Sequence, residues 1–213
     1  MRRGVFITLE GPEGSGKSSQ ARRLAGALRR AGCAPIVVRD PGSTALGRAL
    51  RRTLLHSAAP LSPLAEALLF IGARVQLVEE RIRPALRQGR VVICDRFHDS
   101  TVAYQGYGGG VDPRWLDRVG RAAIGSTMPS ATLLLDLPPR HGFSRLARHR
   151  DRMERKPAAF HRRVREGYRA LARREPGRFV IVDAARPRAA VGRAVASVAL
   201  KKCQALRGAG HVE

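Results

Sequence analysis

The sequence predicts an α/β fold in which helices cover both faces of a five-stranded parallel sheet, a three-layer arrangement. Five short apolar runs have the length and composition of buried parallel strands. Segments with helical spacing of apolar residues separate these runs, and a glycine-rich turn joins the first run to the first helix. The predicted strands are residues 5–9, 35–38, 91–95, 132–137 and 179–183.

The helix boundaries follow from local end signals. Ser62-Pro63 and Asp112-Pro113 each place an N-cap residue before a proline of the first turn, so a helix begins at both places. Pro84 predicts a kink or split in the helix that Ser62 opens, because proline lacks a backbone donor. Gly89 ends that helix before the third strand. The predicted helical segments are 18–31, 46–54, 62–89, 115–124, 140–149, 158–174 and 188–206.

Length and composition fit one large domain. We expect residues 1–213, of which 44% are hydrophobic, to form it. No apolar run reaches the ~18 residues of a transmembrane helix, and the first residues lack the apolar segment of a secretory signal. Cys33, Cys94 and Cys203 are widely spaced and indicate neither a zinc site nor a disulfide framework. We therefore expect a cytoplasmic protein with no membrane span.

The net charge of +23 raises the alternative of a nucleic-acid-binding protein. Only four of the 40 basic residues are Lys, however, and an excess of Arg also arises from codon bias. The arginines are spread over nearly every predicted helix, which favours non-specific attraction at low salt over a dedicated basic face. We expect no specific nucleic-acid partner.

The glycine-rich turn has a recognisable pattern. Residues 11–18 read Gly-Pro-Glu-Gly-Ser-Gly-Lys-Ser, which is G-x-x-x-x-G-K-S between a strand and a helix. In that context the motif predicts a phosphate-binding loop, because backbone N–H groups and the helix N-terminus converge on an anion. Lys17 is expected to reach the β- and γ-phosphates, and the Ser18 hydroxyl to ligate Mg²⁺. The predicted nucleotide-binding residues here are Gly11, Pro12, Glu13, Gly14, Ser15, Gly16, Lys17, Ser18 and Ser19.

The third strand ends in Asp95, and Arg96 follows at once. An acid at the end of an apolar strand has the position of a Walker-B carboxylate near Mg²⁺, although many strands end in Asp for the sake of a turn. Ligands of parallel sheets lie beyond the carboxyl ends of the strands. We therefore expect Ser18 and Asp95 to form a metal site, with Arg96 beside it.

At this point the chain resembles the thymidylate kinases over almost its full length. The resemblance rests on an ordered set of segments: 9–18, 39–44, 68–74, 95–97, 100–106, 136–139 with Arg145, and 148–168. It implies a P-loop NTPase fold with a short mobile lid at about 148–157. It also implies a homodimer and transfer of the γ-phosphoryl group of ATP to dTMP, giving dTDP, with Mg²⁺.

The resemblance further implies an acceptor site. Glu13 corresponds to the acid that accepts a hydrogen bond from the sugar 3′-hydroxyl, and Phe70 to the aromatic that stacks on thymine. Arg96 corresponds to the arginine that grips the dTMP phosphate, a bidentate contact suited to guanidinium. Arg74 lies one turn after Phe70 on the same helix face. From the residues alone, Phe70 fits a helix core equally well.

Thr101 and Tyr104 share a helix face and, in the family, approach the base and the sugar. A hydroxyl that accepts from thymine N3–H disfavours cytosine, which has no proton there. An ordinary amphipathic helix is the alternative for this stretch. Arg39 and Arg48 are further candidates for the acceptor phosphate. The implied substrate-binding residues are Glu13, Phe70, Arg74, Arg96, Ser100, Thr101 and Tyr104.

Phosphoryl transfer requires positive charge around the migrating group. In this family an arginine supplies it from the phosphate loop or from the lid, and Gly14 stands at the loop position, so the lid type is implied. Arg148, Arg150 and Arg152 are candidates, the last two favoured by the Asp-Arg-x-Glu pattern; the alternative is a merely solvated basic stretch. Arg145 corresponds to an arginine over the adenine face. The predicted catalytic residues are Lys17, Asp95, Arg96, Arg150 and Arg152.

Two alternatives remain open from the sequence. One is a kinase for another nucleotide or for a deoxynucleoside, and the other is a basic P-loop protein that binds nucleic acid. A nucleoside acceptor needs no arginine for its phosphate, so the role of Arg96 separates the first alternative from a dTMP kinase.

Overall fold

A parallel five-stranded sheet forms the centre of the protein. The computed structural model describes residues 4–57, 60–146 and 151–208, with 205–208 described by backbone only. The strand order is β2-β3-β1-β4-β5, and every neighbouring pair is parallel. The strands are β1 (Val5–Glu10), β2 (Pro35–Arg39), β3 (Val91–Asp95), β4 (Ala131–Asp136) and β5 (Phe179–Asp183). The predicted sheet is confirmed, with strand ends that differ by one residue at most.

Helices connect the strands. They are α1 (Lys17–Arg30), α2 (Ala45–His56), α3 (Pro63–Leu77), α4 (Arg83–Arg87), α5 (His98–Thr101), α6 (Pro113–Ile124), α7 (Pro139–Phe143), α8 (Ala158–Arg174) and α9 (Arg188–Gly208), with π-helical turns at Val78–Ile82 and Val102–Gly108. The predicted caps are present: the Ser62 hydroxyl accepts from the backbone N–H of Ala65, and the Asp112 carboxylate from that of Arg114.

Alternation along the strands separates two cores. In β1, Ile7 and Leu9 pack against α1 and α9, which contribute Leu24 and Val195 to one apolar cluster. Phe6, on the opposite face, packs with the end of α3 and with α4. Because successive strand residues point to opposite faces, each buried strand serves both helical layers. A third cluster lies between α2, α3, α6 and α8 and forms the wall of the cleft described below.

Two predictions about helices need refinement. The expected break near Pro84 takes the form of the π-helical turn at Val78–Ile82, followed by a new helix from Arg83. The predicted helix 140–149 is too long, because α7 ends at Phe143 and turns follow; residues 147–150 lie outside the described part of the chain. Across the described ranges, no helix is long and apolar enough to cross a membrane.

Candidate active site

One deep cleft opens at the carboxyl edge of the sheet. It has a volume of about 870 Å³, and its walls come from the loop after β1, the ends of β2 and β3, α3, and the segment before α8. Residues from both predicted halves of the site line it together: Lys17 and Ser18 from the loop, Phe70 from α3, and Arg96 and Tyr104 from the β3–α6 connection. The topology brings these side chains together because parallel strands end at one edge.

The phosphate-binding loop has the backbone that its glycines predict. Gly14 and Gly16 have φ angles of 69° and 90°, a region that favours glycine. Lys17 folds back over the loop, and its Nζ donates to the carbonyl oxygens of Gly11 (2.9 Å) and Pro12 (2.7 Å). Burial and the nearby Arg96 lower the pKa of Lys17 to about 8, although Glu13 partly opposes them. The loop therefore carries a desolvated ammonium group. A bound phosphate can replace the carbonyl oxygens as the acceptor of its hydrogen bonds.

Gly14 also has a steric reason to lack a side chain. A Cβ placed there would lie 2.2 Å from the carbonyl oxygen of Gly142 in α7, far inside van der Waals contact. A Cβ on Gly142 would lie equally close to the carbonyl oxygen of Glu13. The loop and α7 thus pack backbone to backbone, and no arginine fits at this position of the loop.

The predicted metal ligands lie together. The Ser18 hydroxyl donates a hydrogen bond to the Asp95 carboxylate, and the Arg39 guanidinium contacts both, at 2.9 Å from Ser18 Oγ and 3.3 Å from Asp95 Oδ2. A cationic group therefore sits against these two oxygens. Two hard oxygen ligands fit Mg²⁺, which usually takes few protein ligands and completes its shell with phosphates and water.

Arg96 is the centre of the acceptor end. Its backbone adopts a φ of 69°, which is uncommon for a residue with a side chain. Its guanidinium donates to Glu13 Oε1 at 2.8 Å and to the hydroxyls of Tyr104 (3.0 Å) and Tyr168 (3.2 Å). Its Cζ lies 4.8 Å from the centre of the Tyr104 ring. Strain of this kind persists only where neighbours hold the residue in place, and functional sites are where it concentrates.

Glu13 joins the loop to this cluster. Burial acts to raise the pKa of Glu13, but Arg96, Lys17 and the Tyr104 hydroxyl outweigh it and lower that pKa to about 2. The Tyr104 hydroxyl donates to Glu13 Oε1 at 2.7 Å. The structure thus brings Glu13, Arg96 and Tyr104, all predicted from the sequence, into mutual contact.

Behind Arg96 lies a carboxylate that sequence reasoning missed. Glu10 is fully buried and accepts from the backbone N–H of Phe97 (2.7 Å) and from the hydroxyls of Ser100 (2.6 Å) and Tyr168 (2.9 Å). Burial and the nearby Asp99 raise the pKa of Glu10 to about 7, against the effect of these hydrogen bonds and of Arg96. An acid at the end of the apolar β1 was the available signal. Ser100, predicted to bind substrate, is held by this network.

Buried contacts of Arg74 hold together the part of the acceptor half where the base is expected. Arg74 is almost fully buried; its Nε donates to Asp40 Oδ2 at 2.6 Å and its Nη2 to Thr101 Oγ1 at 2.8 Å. Arg74 is one of the residues that line the cleft, and its buried Nη1 has no hydrogen-bond partner among the described residues. Phe70 is half-buried in the same wall. The Thr101 hydroxyl oxygen thus accepts one hydrogen bond from Arg74 and has a second lone pair and its own hydrogen for other partners.

Two further wall residues were not predicted. Gln105 follows Tyr104 in the wall of the cleft, one turn beyond Thr101. Arg51 of α2 lies at the acceptor end, and burial, with Arg39 and Arg96 nearby, lowers its pKa. Guanidinium groups that converge in this way are stabilised by an anion between them. Arg48, which the sequence offered instead of Arg51, is exposed.

Arg145 and the loop after β5, which the sequence assigns to the adenine, lie together at one end of the cleft. Arg145 lies in the cleft wall next to the loop after β5, and its Nη1 donates to the Ala184 carbonyl at 2.9 Å. Residues 184–188 line the same end. The arginine and the loop that the sequence assigned to the same end of the cleft are therefore in contact.

Of the three candidate lid arginines, Arg152 is the one that lies in the described part of the chain. Arg150 and Arg148 lie outside the described residues. Arg152 is described, and it contacts the end of α2 and Glu66 of α3 rather than the cleft: its Nε donates to the Leu54 carbonyl at 2.8 Å and its Nη1 lies 3.1 Å from Glu66 Oε1. Its neighbours Asp151, Met153 and Glu154 do line the cleft. A catalytic role of Arg152 stays a prediction.

The cleft therefore has an anion-binding loop at one end and a cluster of arginines at the other, with a candidate cation site between them. A parallel α/β fold with this cleft defines a nucleotide kinase of the P-loop class, in which donor and acceptor phosphates meet over the carboxyl edge of the sheet.

Comparison with known proteins agrees. A family model described as thymidylate kinase matches residues 9–195. The thymidylate kinase of Deinococcus radiodurans is 48% identical over 189 residues, covering 88% of this chain and 92% of the relative. That of Thermomicrobium roseum is 49% identical over 193 residues, with coverage of 89% and 91%. The crystal structure of thymidylate kinase from Ehrlichia chaffeensis superposes with a TM-score of 0.76 at 34% identity, covering 93% of this chain and 99% of that one. The chain belongs to the thymidylate kinase family.

Proposed function

We infer that this protein is an ATP-dependent dTMP kinase, which transfers the γ-phosphoryl group of ATP to dTMP and gives dTDP. Family membership over most of the chain supports this function. The observation that carries it in the site is the contact between Arg96 and Glu13, because it joins a group suited to an acceptor phosphate to the loop suited to the donor. Neither a nucleic-acid-binding protein nor a nucleoside kinase needs that pair.

The proposed mechanism depends on positioning and charge. The loop N–H groups and Lys17 bind the β- and γ-phosphates of ATP, and Arg96, with Arg51 and Arg39 nearby, binds the phosphate of dTMP. Glu13 accepts a hydrogen bond from the sugar, while Phe70 and Arg74 border the base. Because both phosphates carry negative charge, their approach requires the cations that converge on this cleft.

We propose that Mg²⁺ binds at Ser18 and Asp95, with Arg39 moving aside. The Ser18 hydroxyl and the Asp95 carboxylate would hold the ion, which would supply positive charge beside the donor phosphates. Arg150 in the lid is proposed as a further cation for the transferring group. Arg145 and the loop after β5 are proposed to hold the adenine.

A substrate panel tests the function. The protein should release ADP with dTMP, and far more slowly with dCMP, dGMP, dAMP and thymidine. The rate with dUMP relative to dTMP measures the contribution of the 5-methyl group to specificity. Equal or faster turnover of thymidine would replace this proposal with a nucleoside kinase.

We further propose one domain with a lid near residues 148–157 and a homodimer. The outward face of α3 supports the dimer: Leu64 and Leu68 are about half exposed, and a Cβ added to Gly72, one turn further, would have no atom within 4 Å. Sedimentation of the parent protein and of Leu68→Glu tests it; a monomeric parent contradicts it. Cys33, Cys94 and Cys203 are buried thiols, which accords with a reducing cytoplasm.

A further inference from the structure

A buried carboxylate in α3 connects two walls of the cleft. Glu66 is 3% exposed. Its Oε2 accepts a hydrogen bond from Gln105 Nε2 at 3.1 Å, and its Oε1 lies 3.1 Å from Arg152 Nη1. Gln105 and Phe70 both line the cleft. Glu66 itself is not a cleft residue, so its effect on a ligand must pass through Gln105.

The chemistry of this contact fixes the orientation of the Gln105 amide. A carboxylate only accepts hydrogen bonds, so Gln105 must present its NH₂ group to Glu66. The flipped amide would bring its carbonyl oxygen against a carboxylate oxygen, with two buried acceptors and no hydrogen between them. A glutamine without such a neighbour can present either end.

Arg152 keeps the carboxylate itself in place. Its Nε donates to the Leu54 carbonyl, and its backbone N–H donates to the Leu55 carbonyl at 3.1 Å, so the arginine is fixed to the end of α2. A local hydrogen bond also stabilises this segment, because the backbone N–H of Glu154 donates to the Asp151 carboxylate at 2.9 Å. Glu66 is therefore held between α2 and the π-helical turn that carries Gln105.

The fixed amide has a definite use against a pyrimidine. With one hydrogen committed to Glu66, the carbonyl oxygen and the second hydrogen of Gln105 stand in a fixed order. Thymine offers N3–H as a donor beside O4 as an acceptor, whereas cytosine offers N3 as an acceptor beside its N4 amino donor. An amide of fixed order matches one of these edges and opposes the other, and a flipped amide reverses the choice.

We propose that Glu66 is a specificity-determining positioning residue: by fixing the donor and acceptor order of Gln105, it makes the acceptor site reject cytosine. The inference rests on the proposed function, because it places a pyrimidine monophosphate in this cleft. Arg152 serves the same end by holding Glu66.

The test is the variant Glu66→Gln, which keeps the size of the side chain but can donate as well as accept. Both orientations of Gln105 then become possible. The ratio of kcat/KM for dCMP to that for dTMP should rise by about tenfold or more. The ratio for dUMP to dTMP should not change, because uracil has the same N3–H and O4. Glu80→Gln is the matched control, since Glu80 is exposed beyond the end of α3.

A purely structural role of Glu66 lowers kcat/KM for all three nucleotides by one factor, and that result, or an unchanged dCMP ratio in an active variant, overturns this inference alone. Absence of dTMP turnover in the parent enzyme overturns the proposed function and this inference with it. If Glu66→Gln does not fold, Gln105→Met provides the test, because it removes the amide at similar volume: retained rejection of dCMP by that variant contradicts the proposal.

Discussion

The donor and acceptor halves of the cleft are built in opposite ways. The phosphate-binding part of the donor half is one continuous segment, residues 11–18, in which glycine conformations and backbone groups make the site. The acceptor half is a network of side chains from separate elements: Glu13 from the loop, Arg96 after β3, Tyr104 from the π-helical turn and Tyr168 from α8. A binding site formed by main-chain groups depends on local conformation, whereas a binding site formed by side chains of separate elements depends on the whole fold.

The two halves also differ in how their charge is balanced. Lys17 is bonded mainly to neutral carbonyl oxygens of its own loop, whereas Arg96 is paired with the carboxylate of Glu13. A phosphate at the donor end therefore meets a cation without a full counter-charge. At the acceptor end it must compete with, or rearrange, an existing ion pair.

The largest expected effects come from the two cations. Lys17→Ala and Arg96→Ala should each lower kcat/KM by about 10³-fold, because each removes a charge-assisted contact to a phosphate in a dry site. Steady-state kinetics separates the halves: Lys17→Ala should act chiefly against ATP and Arg96→Ala chiefly against dTMP.

Circular dichroism and thermal unfolding of both variants serve as controls for folding. A near-parent kcat/KM in either folded variant contradicts the assigned role.

The lid cation comes next. Arg150→Ala should lose mainly kcat, by about 10²-fold, as expected for charge needed in the transition state. Arg152→Ala should act differently, because its described contacts are with Glu66 and the end of α2. We expect it to raise the dCMP to dTMP ratio with a smaller change in kcat for dTMP. Identical effects of the two substitutions would place both arginines in one role.

A glycine pair tests the dependence of the donor half on backbone. Gly14→Ala should lower the free energy of unfolding by about 2–3 kcal/mol, because it adds a backbone clash to left-handed strain. Gly32 has a similar φ, 71°, but nothing lies within 4 Å of its Cβ position. Gly32→Ala should therefore cost only about 1 kcal/mol. Urea unfolding of both measures the difference, and equal costs would mean that α7 yields to the added methyl group.

The buried Glu10 beneath the acceptor half should make the free energy of unfolding depend on pH. Its raised pKa of about 7 means that the folded state binds a proton more tightly than the unfolded state does. The resulting stabilisation is full below pH about 4.5 and is lost as pH rises through 7, by on the order of 2–3 kcal/mol. Glu10→Gln should remove this part of the pH dependence. Unfolding of the two proteins at pH 5 and pH 8 measures it; parallel pH profiles contradict the assignment.

A further prediction is a pH dependence at the donor half. Because the pKa of Lys17 is lowered to about 8, its ammonium form is lost in the free enzyme above that pH. The value of kcat/KM for ATP should then fall by up to about tenfold per pH unit, while kcat falls at higher pH because bound phosphates favour the charged lysine. A flat kcat/KM profile from pH 7 to 9.5 would show that the lysine stays charged.

Much of the protein follows from local sequence. The five strands and the caps at Ser62 and Asp112 were predicted because apolar period, proline and capping residues act over a few positions. The phosphate loop was predicted with all its residues, since its chemistry lies in eight consecutive positions. The positions of Asp95 and Arg96 at the sheet edge followed from the parallel topology.

Tertiary structure alone decided the connections between these segments. Nothing local shows that Gly14 faces Gly142, that Glu10 lies under Arg96 through Tyr168, or that Arg152 turns to Glu66. Each pair joins residues far apart in the chain, and each depends on helix packing angles that periodicity does not encode. Thus the sequence by itself determined which phosphate chemistry the cleft supports, and the fold decided which side chains hold those groups in position. The physical reason is range: backbone conformation and capping are short-range, whereas buried hydrogen bonds and ion pairs form wherever packing brings their partners together.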